Sequence, residues 1–195
     1  MAQTSTMLPL GTAAPAFTLT DAISGQSMSL DQLQSEVATV VMFLSNHCPF
    51  VKHVQDGLIS LADDYGARGV SFIAINANDP EAYPEDAPDR MRQVAKEKGY
   101  PFPFLFDETQ DIARAYHAAC TPDFFVFDAD LRCVYRGQLD ESRPGNDVPV
   151  TGQDIRQALD ALLAGQPVSP EQRPSVGCGI KWRPVATLRR RSATP

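Results

Sequence analysis

The 195 residues carry 43% apolar and 21% charged side chains, a balance that suits one soluble domain of generous size with a full core. A net charge of −7 and a pI near 4.9 exclude the basic surface that nucleic-acid binding needs. No apolar stretch approaches the roughly 20 residues of a membrane-spanning helix.

The first residues, Met1-Ala2-Gln3-Thr4-Ser5-Thr6-Met7, lack the positive start and apolar core of a signal peptide. The expected compartment is therefore the cytoplasm, where four cysteines read as reduced or catalytic thiols rather than as a disulfide framework. Residues 1–10 are expected to be an extended or disordered arm, 11–165 the domain, and 166–195 a Pro-rich C-terminal extension with a disordered end. Ala16-Phe17-Thr18-Leu19 and Ser27-Met28-Ser29-Leu30 flank the turn Ser24-Gly25 as an N-terminal hairpin. Asp31 is the expected N-cap of a short helix. Val37-Ala38-Thr39-Val40-Val41-Met42-Phe43-Leu44 is short, β-branched and uncharged, which reads as a buried strand.

After Cys48 the period becomes helical, with Phe50, Val54, Leu58 and Leu61 on one stripe. Pro49 fits the first helical position, where its missing N–H costs nothing. Cys48 thus stands at a strand-to-helix junction, near the positive end of a helix, which favours a reactive thiolate. His47 and His53 flank it, and Lys52, four residues on, is the better-placed cation. Gly66 and Gly69 end this helix. A strand follows over 70–75, then a Pro-rich acidic loop from Asn76 to Pro88, which reads as a solvated lid or docking segment because it lacks the spacing of a calcium loop. A helix from about Asp89 to Lys98, the strand Phe104-Leu105-Phe106 and a helix over 109–117 come next. Phe124–Phe127 and Cys133–Arg136 form a hairpin around Asp128-Ala129-Asp130, and 153–164 is the last helix. Cys133 falls within a strand pattern and reads as structural. No Cys-x-x-Cys pair exists among the four cysteines and three histidines, so neither a metal nor another cofactor is expected.

Three motifs in order carry a resemblance: Cys48-Pro49 opening the first long helix, Cys120-Thr121-Pro122-Asp123 before an apolar strand, and Pro174-Ser175-Val176-Gly177-Cys178-Gly179-Ile180-Lys181-Trp182 near the C-terminus. Together, over about residues 10–184, the chain resembles a bacterial peroxiredoxin-like subgroup of the thioredoxin superfamily. The resemblance implies an α/β thioredoxin-like fold, a mixed central sheet flanked by helices, with Pro122 in cis and facing Cys48. It also implies that Ser45 fills the hydroxyl position of the peroxiredoxin signature. The departures are specific. Val51 replaces the second cysteine of Cys-x-x-Cys, Val41 replaces the signature proline, and the strand before Cys48 lacks the buried carboxylate of thioredoxins. Arg114 and Arg132 are the candidates for an active-site arginine.

Three functions stay open. In the first, a thiol-disulfide oxidoreductase uses Cys48 as nucleophile, with Cys120 and then Cys178 as candidate resolving thiols, the former nearer by fold logic and the latter freed by its flanking glycines. In the second, a thiol peroxidase oxidises Cys48 to a sulfenic acid. The third is a non-catalytic redox sensor or binding protein. The implied partners are a protein disulfide or a small peroxide, and a thiol reductant such as thioredoxin or glutathione.

Overall fold

The computed structural model describes residues 2–184. The expected disordered end and its Arg189-Arg190-Arg191 cluster lie outside the described residues. The central run, β4 (Ala38–Phe43), is buried along its whole length. It lies parallel to β5 (Val70–Asn76) and antiparallel to β8 (Asp123–Asp128). The pattern of uninterrupted apolar residues follows from that position, since a central strand is covered on both faces.

Four further strands complete a seven-stranded mixed sheet: β2 (Thr18–Asp21), β3 (Ser27–Ser29), β6 (Phe104–Phe106) and β9 (Cys133–Gly137) join these three in the order β3-β2-β6-β5-β4-β8-β9. Strand alternation sends Val40, Met42 and Leu44 into one core and Val41 and Phe43 into the other. The first core receives Leu58 and Leu61 of α2 (Pro49–Gly66) and Ile155 and Leu159 of α5 (Gln153–Leu163). The second is aromatic, with Tyr116 meeting Phe43, Phe125 and Phe127 at ring-centroid distances of 5.6–5.9 Å. Each wholly buried aliphatic or aromatic side chain contributes about 1.5–3 kcal/mol.

Local details correct several expectations. The cap of α1 (Leu30–Leu33) is Ser29, not Asp31: Ser29 accepts from the Gln32 N–H while the Gln32 side chain accepts from the Ser29 N–H. Asp31 instead sits in the first turn, where the helix end favours its charge. The helix α4 (Asp111–Ala115) is shorter than 109–117 because Gln110 adopts a left-handed conformation, φ +66°, and buries its amide against the carbonyls of Ala77 and Lys181. The helix α3 (Pro88–Lys98) ends at Gly99, which is left-handed.

The two ends of the chain are woven together. β1 (Ala2–Thr4), β10 (Val176–Gly179) and β7 (Cys120–Thr121) form a second, antiparallel sheet in the order β1-β10-β7. The segment around Cys178 is therefore a paired strand rather than a swinging tail. The acidic loop after β5 is solvated only at its tip, Glu81 to Glu85: Asn76, Asn78, Asp79 and Asp86 at its two ends are buried. Among the described residues no helix is long and apolar enough to cross a membrane.

Candidate active site

Cys48 is the residue immediately before α2, in extended conformation, with Pro49 at the first helical position. Its thiol is wholly buried and donates to the carbonyl oxygen of Thr121 at 3.1 Å. The Thr121–Pro122 peptide bond is cis. On the other side, Cys178 is the antiparallel partner of Thr121 in the β10–β7 pairing, and its thiol interacts electrostatically with Cys48. Three motifs far apart in sequence thus converge on one sulfur. Burial first, then the interaction with Cys48, push the Cys178 thiol up to about 11, against a lowering influence from Lys181. Cys178 therefore holds its proton next to Cys48.

The other cysteines are arranged differently. Cys120 is wholly buried and donates weakly to the Pro122 carbonyl at 3.7 Å. Burial, followed by the charges of Asp123, Cys48 and Cys178, drives its pKa far up. It neighbours the pair without a hydrogen bond to Cys48. Cys133 is buried in β9 and pushed up to about 11 by burial. All four are free thiols.

The supporting residues divide. Pro49 starts the helix, and the backbone N–H of Lys52 donates to the Cys48 carbonyl at 3.0 Å. The Lys52 side chain is exposed in a groove shared with Asn46, Glu85 and Arg90, so it sits away from the buried sulfur. His53 turns to Ser142, at 2.7 Å. His47 and Ser45 both face Asp86, at 2.5 and 3.4 Å. Neither arginine candidate reaches the thiol: Arg114 stacks on Trp182 at 4.7 Å, and Arg132 points to the Gly11 carbonyl.

Two carboxyl groups escaped sequence reasoning. Asp86 is fully buried and accepts from the Asn46 backbone N–H (2.6 Å), from His47, from Ser45, and from the side-chain amides of Asn76 and Asn78 (both 3.0 Å). Asn78 also accepts from the Lys181 backbone N–H at 2.8 Å, so one loop holds both the Cys48 turn and the chain just beyond Cys178. The signal was the pair Asn76, Asn78 closing an apolar parallel strand, at whose carboxyl end sites tend to form. Asp123, one residue after the cis-proline, is also fully buried, and burial pushes its pKa to about 8, opposed by N–H groups of Ala119 and Phe124. Among the described residues no group of three or more His, Cys, Asp or Glu is placed to hold a metal ion.

A mixed sheet with a Cys-Pro helix start facing a cis-proline loop defines a thioredoxin-like redox fold. Residues 9–155 match the redoxin family, and the chain belongs to that family; its function is thiol redox chemistry. The chain is similar to the crystal structure of an uncharacterized conserved protein from Geobacillus kaustophilus, with 62% identity, TM-score 0.93, and coverage of 94% of this chain and 97% of that one. A hypothetical protein from Sinorhizobium meliloti 1021 is similar at 46% identity and TM-score 0.90, covering 92% and 98%. A curated relative from Halalkalibacterium halodurans, the thiol-disulfide oxidoreductase ResA, is 29% identical over 106 residues. That match takes in 54% of this chain and 55% of the relative, so the chain spans about half the length of that protein.

Proposed function

We propose that the protein is a thiol-disulfide oxidoreductase whose reactive pair is Cys48 and Cys178. The observation that carries this reading is the convergence of both cysteines on Thr121, Cys178 through its strand pairing with that residue and Cys48 through its bond to the Thr121 carbonyl. The name of the ResA relative supports disulfides as the substrate.

In the first step the Cys48 thiolate attacks one sulfur of a substrate disulfide. The electron pair of the broken S–S bond leaves on the other sulfur, which takes a proton and departs as a thiol. In the second, Cys178 gives up its proton and attacks the Cys48 sulfur of the mixed disulfide, forming Cys48–Cys178 and releasing the second substrate thiol. An external dithiol, or two equivalents of a monothiol such as glutathione, returns the pair to the reduced state. The order follows from the interaction of the two thiols. Apart from burial, the influences that hold the proton on Cys178 come from Cys48, and they vanish once Cys48 is bonded to substrate. Cys178 rather than Cys120 is then the resolving thiol, because β10 pairs it with Thr121, the residue that Cys48 bonds, while Cys120 keeps its sulfur against Pro122.

The test is to oxidise the reduced protein with a limiting amount of small disulfide, quench by alkylation and map the products by mass spectrometry. Cys48–Cys178 is the expected bond, and Cys178→Ser should accumulate the mixed disulfide on Cys48. A Cys48–Cys120 bond, or Cys48 found only with external thiol in the unaltered protein, overturns the reading.

A further inference from the structure

The most elaborate polar construction among the described residues lies beneath His47, and disulfide exchange between Cys48 and Cys178 does not use it. Asp86 has five donors aimed at its two oxygens and is fully buried. It acts only as an acceptor there, so the Nδ1 of His47, 2.5 Å away, must carry a hydrogen. The two nitrogens of an imidazole lie on opposite sides of the ring. With Nδ1 turned inward to a buried carboxylate, Nε2 is turned away from it, and Nε2 has no hydrogen-bond partner among the described residues. Tyr83 stacks on the ring at 4.7 Å with planes 20° apart, which fixes the rotation of the imidazole. The His47 side chain is 16% exposed. The Thr121 carbonyl already engages the Cys48 sulfur, and His47 directly precedes Cys48, so its free nitrogen belongs to the same turn that a substrate disulfide must reach.

We propose that His47 is the proton donor to the sulfur that leaves when Cys48 attacks a disulfide, and that Asp86 is the positioning residue that orients it. This rests on the oxidoreductase reading above. As the substrate S–S bond breaks, its electron pair goes to the departing sulfur and the Nε2–H proton of the imidazolium moves there, so the product leaves as a neutral thiol. The neutral imidazole then takes a proton from water. A donor of this kind matters in proportion to the basicity of the leaving group, because an acidic aromatic thiol departs readily as an anion whereas an alkyl thiolate does not.

Leaving-group dependence is therefore the readout, and a merely structural role does not change it. Single-turnover rates of the first step are measured for wild type and His47→Gln with 5,5′-dithiobis(2-nitrobenzoate) and with bis(2-hydroxyethyl) disulfide. Gln keeps a donor for Asp86 and removes the transferable proton. The expected result is a change within about threefold on the aromatic disulfide and a loss of about 100-fold on the dialkyl one. Asp86→Asn, assayed below its melting temperature, should show the same selective loss with His47 still present. Equal losses on both disulfides overturn the inference and leave the oxidoreductase reading intact. A wild-type protein that reacts with neither disulfide through Cys48 overturns both.

Discussion

Gly177 packs its Cα directly against the carbonyl of Thr121: a β-carbon at position 177 would stand 2.0 Å from that oxygen and 3.1 Å from the Pro122 nitrogen. The same carbonyl accepts from Cys48, and the next residue of β10, Cys178, is the partner of Thr121. One carbonyl thus sets the position of both thiols. The glycine serves close approach, not mobility. Gly179 is a milder case, since a β-carbon there meets the Gln3 side chain at 2.6 Å, and a side chain can turn aside.

Gly177→Ala should lift β10 from the cis-proline loop. The expected cost is about 1–3 kcal/mol, seen as a melting temperature lowered by roughly 2–4 °C per kcal/mol, together with slower formation of the Cys48–Cys178 disulfide. Gly179→Ala should cost less on both measures. Gly66→Ala is the control, because nothing lies within 4 Å of a β-carbon there, and loss of glycine freedom in the unfolded chain should stabilise by about 0.4–1 kcal/mol. A Gly177→Ala protein that melts and oxidises like wild type refutes the close-approach argument.

Cys120 and Cys133 are buried, and burial is the leading cause that raises both thiols. Brief treatment of the folded, reduced protein with iodoacetamide at pH 8 should leave both unlabelled, while unfolding in denaturant exposes them to full modification. Peptide mapping after timed quenches gives the answer. Labelling of Cys120 as fast as that of Cys178 would mean that the cis-proline loop opens readily, and the ranking of the two thiols would need revision.

The sheet and helices were legible because each long element has one dominant period: β4 has no polar interruption, and α2 repeats its apolar stripe from Val54 through Leu61. The three-motif convergence was legible in part, through Cys48-Pro49 and Thr121-Pro122. The place of Cys178 was not. Its pairing with Thr121 joins residues 57 positions apart, and two flanking glycines read equally as a hinge or as a close approach. Asp86 was missed for a related reason. In sequence it belongs to a run of acids and prolines that looks solvated, and only the fold brings Asn46, Asn76 and Asn78 around it. A buried carboxylate is announced by its donors, and these come from two segments outside its own, the turn at 45–47 and the end of β5 at 76–78.

Asp86→Asn should be among the more damaging single changes that leave the chain's volume intact. The amide replaces one acceptor oxygen with a donor that faces existing donors, from either the Asn46 N–H and Asn76 or from His47 and Asn78. Hydrogen bonds to a charged acceptor are worth about 1.5–3 kcal/mol each, so a loss of about 3 kcal/mol or more is expected, read as a shifted midpoint in urea. Asp79→Asn is the comparison. Asp79 is also buried, but among the described residues its carboxylate receives only the Glu81 N–H at 3.1 Å and a longer approach from Arg183 at 3.7 Å, so its cost should be smaller. Equal costs would show that the donor cage around Asp86 contributes nothing special.

Asp123 gives the fold a pH dependence whose sign is fixed by burial. Its carboxyl is pushed from 3.8 to about 8 in the folded chain, so folding favours the protonated form. The stability tied to that proton is fully present below about pH 3.8, declines as the pH rises through the interval up to about 8, and is gone above it. Asp123→Asn cannot ionise, so its unfolding free energy should lack this decline. Any effect of the amide itself is a constant offset; the informative quantity is the slope. Between pH 5 and 8 the difference between variant and wild type should move in favour of the variant by up to about 1.4 kcal/mol per pH unit. Urea titrations at pH 5, 6, 7 and 8 on both proteins measure it. Parallel curves, or a difference that turns against the variant as the pH rises, would show that Asp123 is ionised in the folded protein across this range.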